Sequence, residues 1–257
     1  NTKVRGRKDL ENLSIPFIGE IPQYLSAKKK LGFDKHTQSV MKAIVVKEGN
    51  RNIINEAFRV LRSNIDFMAG KDSGQNVFML TSFNPGSGKS FLAMNIAMSF
   101  AIKKKRILVI DGDLRHGSTS SYVDSPKTGL SDYLGNRVSD WKEIIVKDEK
   151  YDNLHIIPIG TVPPNPTELL EDGKLATLIE VLRSEYDYIF IDCPPIDIVA
   201  DAQIIEKLAD RTVFVVRSGL LDRSMLPELE NIYQEKRFKN LSVILNGTES
   251  AGGRYGY

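Results

Sequence analysis

A single cysteine, Cys193, stands in the whole 257-residue chain, so no internal disulfide can form and the natural setting is a reducing compartment, the cytosol. No uncharged apolar run approaches the roughly 18 to 20 residues that cross a bilayer, and no signal-peptide pattern opens the chain. A membrane anchor is therefore expected only outside these residues. Excess charge is lacking too: 35 basic against 33 acidic side chains leave a formal +2, too little to make nucleic acid the main partner. The first residue is Asn1 rather than methionine and the last is Tyr257 after a glycine-rich run, which reads as a piece of a longer protein. No internal repeat is found.

What is present is an ordinary globular composition, 41% hydrophobic and 26% charged, enough for one α/β domain with a full core. Residues 1 to 45 mix charge and proline without a sustained period and read as a linker or peripheral arm. Within them Lys28, Lys29 and Lys30 are either a solvated charge run or a patch drawn to an anionic membrane surface. From 52 to 68, Ile53, Ile54, Ala57, Phe58, Leu61, Ile65 and Met68 recur at helical spacing. Glu56, Arg59 and Arg62 lie on its other faces. At i, i+3 and i+6 they share one side of the helix, as an interface stripe or as a solvated face.

A polar turn at 71 to 74 leads into an apolar strand at 77 to 81, and then "SFNPGSGKS" at 82 to 90. Successive backbone amides and a helix N-terminus converge on anionic oxygens in such a loop, while glycine lets the backbone come close. Asn84, Pro85, Gly86, Ser87, Gly88, Lys89, Ser90 and Phe91 form the candidate nucleotide-binding stretch. Lys89 is assigned to the β- and γ-phosphates and the Ser90 hydroxyl to Mg²⁺. Phe83 stands where the usual pattern wants glycine.

A helix over 91 to 102 and a strand at 107 to 110 complete a βαβ unit, which implies parallel strands with helices on the faces. The strand "ILVIDGDLR" follows the loop helix directly and is expected beside it in the sheet. Further strands are predicted at 155 to 158, 188 to 192, 212 to 217 and 241 to 246, with helices from 166 or 167 to 183, near 202 to 208 and near 224 to 236. The predicted architecture is a doubly wound, mostly parallel α/β sheet of the P-loop NTPase type, in three α/β/α layers. Asp192 ends one apolar run at the C-terminal edge, the Walker B position, and Asp111 and Asp113 end another. Alternate residues of an extended strand point the same way, so this pair is expected on one side. Phosphoryl transfer needs such acids together, one or two holding Mg²⁺ or its waters and one near the attacking oxygen. Arg115 is placed to reach the γ-phosphate, a neighbouring subunit, or simply solvent.

On these residues the chain resembles the bacterial tyrosine kinases (BY-kinases), the cytoplasmic parts of polysaccharide-export co-polymerases, over nearly its whole length. "SFNPGSGKS" looks like their Walker A loop, "ILVIDGDLR" their second Walker A motif and "YIFIDCPP" their Walker B. Glu56, Arg59 and Arg62 match their helix motif for ring assembly. "PPNPTELL" at 163 to 170 and "IPFIGEIP" at 15 to 22 resemble further recurrent stretches, the latter the link to a transmembrane region. Tyr255 and Tyr257 look like the start of the phosphorylated tail, though family tails often carry more tyrosines.

The resemblance implies a juxtamembrane arm at 1 to 45, a kinase domain at 46 to 248 and a tail at 249 to 257. It implies ATP and Mg²⁺ as cofactors, and Lys89, Asp111, Asp113, Asp192 and Arg115 as the catalytic set. The metal would be held by Ser90 with Asp113 and Asp192, with Asp111, the slightly favoured base, also a candidate ligand. The implied partners are other copies in a ring and a transmembrane co-polymerase, at the cytoplasmic face of the plasma membrane. Two other readings compete. A nucleotide switch of the partition or division-site type shares the fold, but carries a signature lysine five residues before the loop lysine, where this chain has Asn84. A scaffold in which nucleotide only stabilises a ring is the other.

Overall fold

The computed structural model describes residues 2–24, 43–70, 74–196 and 200–249. The described residues build eight strands, β1 (Phe17–Pro22), β2 (Val77–Thr81), β3 (Ile107–Asp111), β4 (Val146–Lys147), β5 (Leu154–Ile157), β6 (Tyr188–Asp192), β7 (Arg211–Arg217) and β8 (Leu241–Thr248). Its helices are α1 (Ile53–Gly70), α2 (Lys89–Ala101), α3 (Leu130–Leu134), α4 (Pro166–Glu171), α5 (Lys174–Glu185), α6 (Asp201–Glu206) and α7 (Leu226–Gln234). One sheet runs in the order β1-β8-β7-β2-β6-β3-β5-β4, every pair parallel except β4 with β5.

The central strands are buried along their whole length, which is why they read as unbroken apolar runs rather than alternating ones. Their side chains still sort by pleat. Phe78 and Leu80 of β2, Val109 of β3 and Phe190 of β6 join the core beneath α1 and α2. Val77, Met79, Ile110 and Ile191 join the opposite core with α5, α6 and α7. Two cores on two faces make the three-layer α/β/α arrangement that the sequence predicts. On the first face Phe78, Phe100, Tyr188 and Phe190 form an aromatic cluster with centroid separations of 4.4 to 6.2 Å.

Four expectations are corrected. β3 does not lie beside β2: β6 runs between them, with Asp192 in register with both Leu80 and Asp111. The helix expected from 166 or 167 to 183 is two, α4 and α5, separated at Asp172 and Gly173, where the left-handed backbone of Gly173 ends the continuous ladder. Residues 226–234 follow a separate 3₁₀ turn, Arg223–Met225, rather than one helix from 224.

The fourth concerns the expected arm. Residues 2–24 are part of the fold, because β1 adds a parallel strand to β8 and Val4, Leu10, Ile15, Ile18 and Ile21 are buried. The strand is short and holds glycine and two polar or imino positions, so its period is hidden. Lys28, Lys29, Lys30, Tyr255 and Tyr257 lie outside the described residues.

Ile21 is fully buried in β1, so Ile21→Ala should lower the unfolding free energy by about 2–4 kcal/mol. Urea denaturation checks this, and an undocked arm would show no change.

Candidate active site

The parallel strands end together on one edge of the sheet, and the cleft lies there, outside their carboxyl ends, as in open α/β sheets generally. Its volume is about 370 Å³, and it is lined by the loop residues Gly86, Gly88, Lys89, Ser90 and Phe91, by Asp113, His116 and Gly117, and by Asp192 with Cys193. The loop runs from β2 directly into α2, whose N-cap is Gly88 with φ +90°. A β-carbon there would lie 2.2 Å from the Asn246 amide nitrogen, so both the left-handed backbone and the close packing demand glycine.

Phe83 explains the departure from the usual loop. Its ring is buried and meets Phe214 edge-on at 4.9 Å, so the residue anchors the loop's first half in the core. Asn84 and Pro85 do not line the cleft. The Asn84 carbonyl accepts the hydroxyls of Ser82 at 2.8 Å and Ser87 at 2.7 Å, which folds the turn that presents Gly86 and Gly88.

Lys89 is the first residue of α2 and is buried, with Nζ donating to Ser82 Oγ at 3.1 Å. Burial pulls its pKa down, while the charges of Asp192 and Asp113 oppose that. The Ser90 hydroxyl donates to Asp192, which also accepts from Thr119 Oγ1 at 2.7 Å. Asp192 is pushed up by burial, against the pull of Lys89 and of these two hydroxyls.

Its register partner Asp111 is fully buried and accepts from Ser120 N at 2.8 Å and Ser120 Oγ at 2.6 Å. Burial raises the Asp111 carboxyl to about 8, the charge of Asp192 adds to the rise, and the Ser120 bonds oppose it. The approach depends on Gly112, whose amide donates to the Asp192 carbonyl at 2.7 Å. A β-carbon on Gly112 would meet that carbonyl at 2.8 Å.

The structure separates the two acids that the sequence placed together. Asp113 lines the cleft, and Asp111 does not; Asp111 points toward Ser120, behind the cleft wall. The reason is that β3 ends at Asp111, so strand alternation no longer governs Asp113. Its carboxylate instead meets His116 Nδ1 at 3.1 Å and accepts the Arg115 amide at 3.3 Å. The Arg115 guanidinium turns away from the cleft. It pairs with the buried Asp201 at 3.4 Å and donates to Thr167 Oγ1 at 3.0 Å, joining the β3 loop to α4 and α6.

Glu56, Arg59 and Arg62 lie elsewhere, around a separate cavity of about 520 Å³ between the start of α1 and the end of α2. They do not form one free row. Arg59 bonds Glu56 and the Asn50 carbonyl, while Arg62 folds inward to donate to the Ser99 carbonyl of α2 at 3.1 Å. Sequence reasoning missed Thr119, Ser120 and His116. The signal was available in the hydroxyl-rich run "HGSTSS" after the paired acids, since buried carboxylates need donors.

The cleft suits a phosphate chain with a divalent cation. Glycine backbone, helix N-terminus and Lys89 suit the anion, and Ser90, Asp113 and Asp192 supply oxygen for a hard cation. Among the described residues no group of three His, Cys, Asp or Glu side chains forms a complete metal cage.

Strand, glycine loop, helix and facing acids define a phosphate-loop nucleotide-binding protein, and residues 75–221 match the AAA domain family model. The chain belongs to the family of bacterial tyrosine-protein kinases. It is 34% identical over 210 residues to the tyrosine-protein kinase YwqD of Bacillus subtilis, covering 80% of this chain and 87% of that protein. A Klebsiella pneumoniae relative is 34% identical over 250 residues, covering 95% of this chain but 33% of its own length. The solved kinase domain of the Escherichia coli tyrosine kinase ETK superposes with a TM-score of 0.80 at 27% identity, over 99% of this chain and 100% of that one. MinD from Pyrococcus horikoshii shares the fold, with a TM-score of 0.53 at 21% identity over 65% of this chain and 67% of that one.

Lys89→Met should weaken ADP binding about 30-fold or more, since charge-assisted bonds to phosphate are lost. The melting temperature of the ligand-free protein should fall, because the buried Asp192 and the neighbouring Asp113 lose the positive charge that offsets them. Calorimetric titration and a thermal melt check the two halves.

Proposed function

We propose that the chain is an ATP- and Mg²⁺-dependent protein-tyrosine kinase that phosphorylates tyrosines of a second copy in its C-terminal tail, Tyr255 and Tyr257 among them. The observation that carries this is the convergence of Lys89, Ser90, Asp113 and Asp192 in one cleft of a chain whose relatives are tyrosine-protein kinases. Transfer forms a bond between a tyrosine oxygen and the γ-phosphorus, breaks the β–γ bridge to release ADP, and moves the phenolic proton to a carboxylate. The divalent cation supplies neutralisation of charge on the β- and γ-phosphoryl oxygens.

The chain's own residues divide the rest. The amides at Gly86 and Gly88 and the Lys89 ammonium bind and orient the triphosphate. Ser90 and Asp192 are the cation's protein ligands, with Thr119 fixing the Asp192 carboxylate. Asp113 accepts the proton, because it faces the cleft and Asp111 is sealed behind Ser120. Asp111 instead holds Ser120 in place behind the cleft and does not touch the reactants. Arg115 acts as a strut between the acid loop and the 163–170 segment, not on the γ-phosphate of its own cleft.

Glu56, Arg59 and Arg62 are proposed as the contact between copies, with a transmembrane co-polymerase region as a further partner at the cytoplasmic face. Residues 2–24 belong with 46–248 to the kinase unit, since β1 pairs with β8, and 249–257 form the acceptor tail. The physiological output is control of capsular or exopolysaccharide synthesis, in keeping with the Klebsiella pneumoniae relative named as a kinase in a cps region. No helix among the described residues is long and apolar enough to cross a membrane.

The division-site switch is the alternative on this fold. Asn84 stands at its lysine position and turns its carbonyl to Ser82 and Ser87, which favours the kinase.

Incubation with ATP and Mg²⁺ should produce phosphotyrosine, read by antibody and by mass spectrometry at 255 and 257. Phosphate release without phosphotyrosine would assign the switch instead. Asp113→Asn should lower the transfer rate by about 10²–10⁴-fold with ADP affinity retained.

A further inference from the structure

We infer that Asn246 and Arg217, at the ends of β8 and β7, are positioning residues that set the phosphate loop in its anion-binding form; this rests on reading the loop as a phosphate site. Asn246 Nδ2 donates to the Ser87 carbonyl at 3.0 Å. Arg217 Nη1 donates to the Gly86 carbonyl at 2.7 Å. The two are register partners on adjacent strands, and neither lines the cleft.

The peptide plane turns these bonds into a statement about the loop's donors. In a trans peptide the carbonyl of one residue and the N–H of the next point in opposite directions. A Gly86 carbonyl held toward Arg217 sends the Ser87 N–H the other way. A Ser87 carbonyl held toward Asn246 does the same for Gly88. The next carbonyl, of Gly88, accepts Leu92 N at 2.9 Å in the first turn of α2, which orients the Lys89 N–H. Three successive amides are thereby aimed by three external bonds, of which only the last belongs to the helix.

The flanking backbone does not do this alone. Gly86 and Gly88 have φ of +74° and +90°, values glycine reaches freely and leaves as freely. A loop built on them is disposed to flip its peptides, and a flipped peptide would present a carbonyl oxygen to the phosphate. Asn246 also packs directly on Gly88, within 2.2 Å of where a β-carbon would be.

Asn246 is uncharged, so its removal tests geometry without altering the site's field. Asn246→Ala should weaken both ADP and inorganic tripolyphosphate, each with Mg²⁺, about tenfold by calorimetry, the worth of one well-aimed bond to an anion. Arg217→Met should follow, and Arg217→Lys, which keeps a donor, should recover most of the loss. In the ligand-free protein, ¹⁵N relaxation should show Gly88 becoming mobile in Asn246→Ala while the melting temperature stays near that of the parent. Unchanged tripolyphosphate affinity with weakened ADP would overturn the inference, because the residue would then be reading the nucleoside. So would an unchanged Gly88 amide. Loss of Gly88 order in Asn246→Ala, when the parent binds neither phosphate compound, would leave the pin standing and remove the kinase reading instead.

Discussion

Asp111 and Asp192 face each other in register on adjacent strands, both shut off from solvent, and the surroundings of the cleft are arranged to make that charge density tolerable. Two carboxylates in such a position cannot both ionise cheaply. Ser120 gives Asp111 two donors, Thr119 and Ser90 give Asp192 two more, and Lys89 supplies the nearest positive charge. Lys89 and Ser90 come from the first turn of α2, and Thr119 and Ser120 from the start of the 3₁₀ turn at 120–123. The strain of the acid pair is thus shared by β3, β6, α2 and that turn, and a cation or a phosphate-bound metal relieves it at one point.

The sheet makes this possible by being dry on both faces. β2, β3 and β6 are buried along their full length, and the charged groups they carry into the interior, Asp111 and Asp192, sit at their carboxyl ends. α2 closes one face with side chains that are small or apolar on nearly every side, so the loop's helix is as buried as the strands. A low-dielectric floor beneath Lys89, Asp111 and Asp192 strengthens every interaction among them.

Much of this was legible in the sequence because it depends on local pattern. The strand at 77 to 81, the strand ending at Asp192 and the glycine loop between strand and helix are each set by residues within a few positions of one another. What stayed hidden depends on long-range placement. That β6 separates β2 from β3 follows from a crossover, which no local period encodes. Asp111 and Asp113 share a parity, but the strand ends between them, so parity does not decide where Asp113 points. Arg115 reads equally as a phosphate contact, a subunit contact or a surface residue until Asp201 and Thr167, far along the chain, are seen to hold it. β1 hides because its burial comes from β8 and α1, not from an alternation of its own.

The ends of the sheet are blunted: β4 has two residues, runs antiparallel, and ends on Lys147, while β1 finishes at Pro22. A very short strand with lysine on one edge and proline on the other discourage one sheet from extending into another. In the proposed reaction each molecule is substrate for its own kind and must meet copies of itself at high local density. With the strand edges blunted, such encounters can form and dissolve through side-chain contacts without passing into irreversible fibre growth.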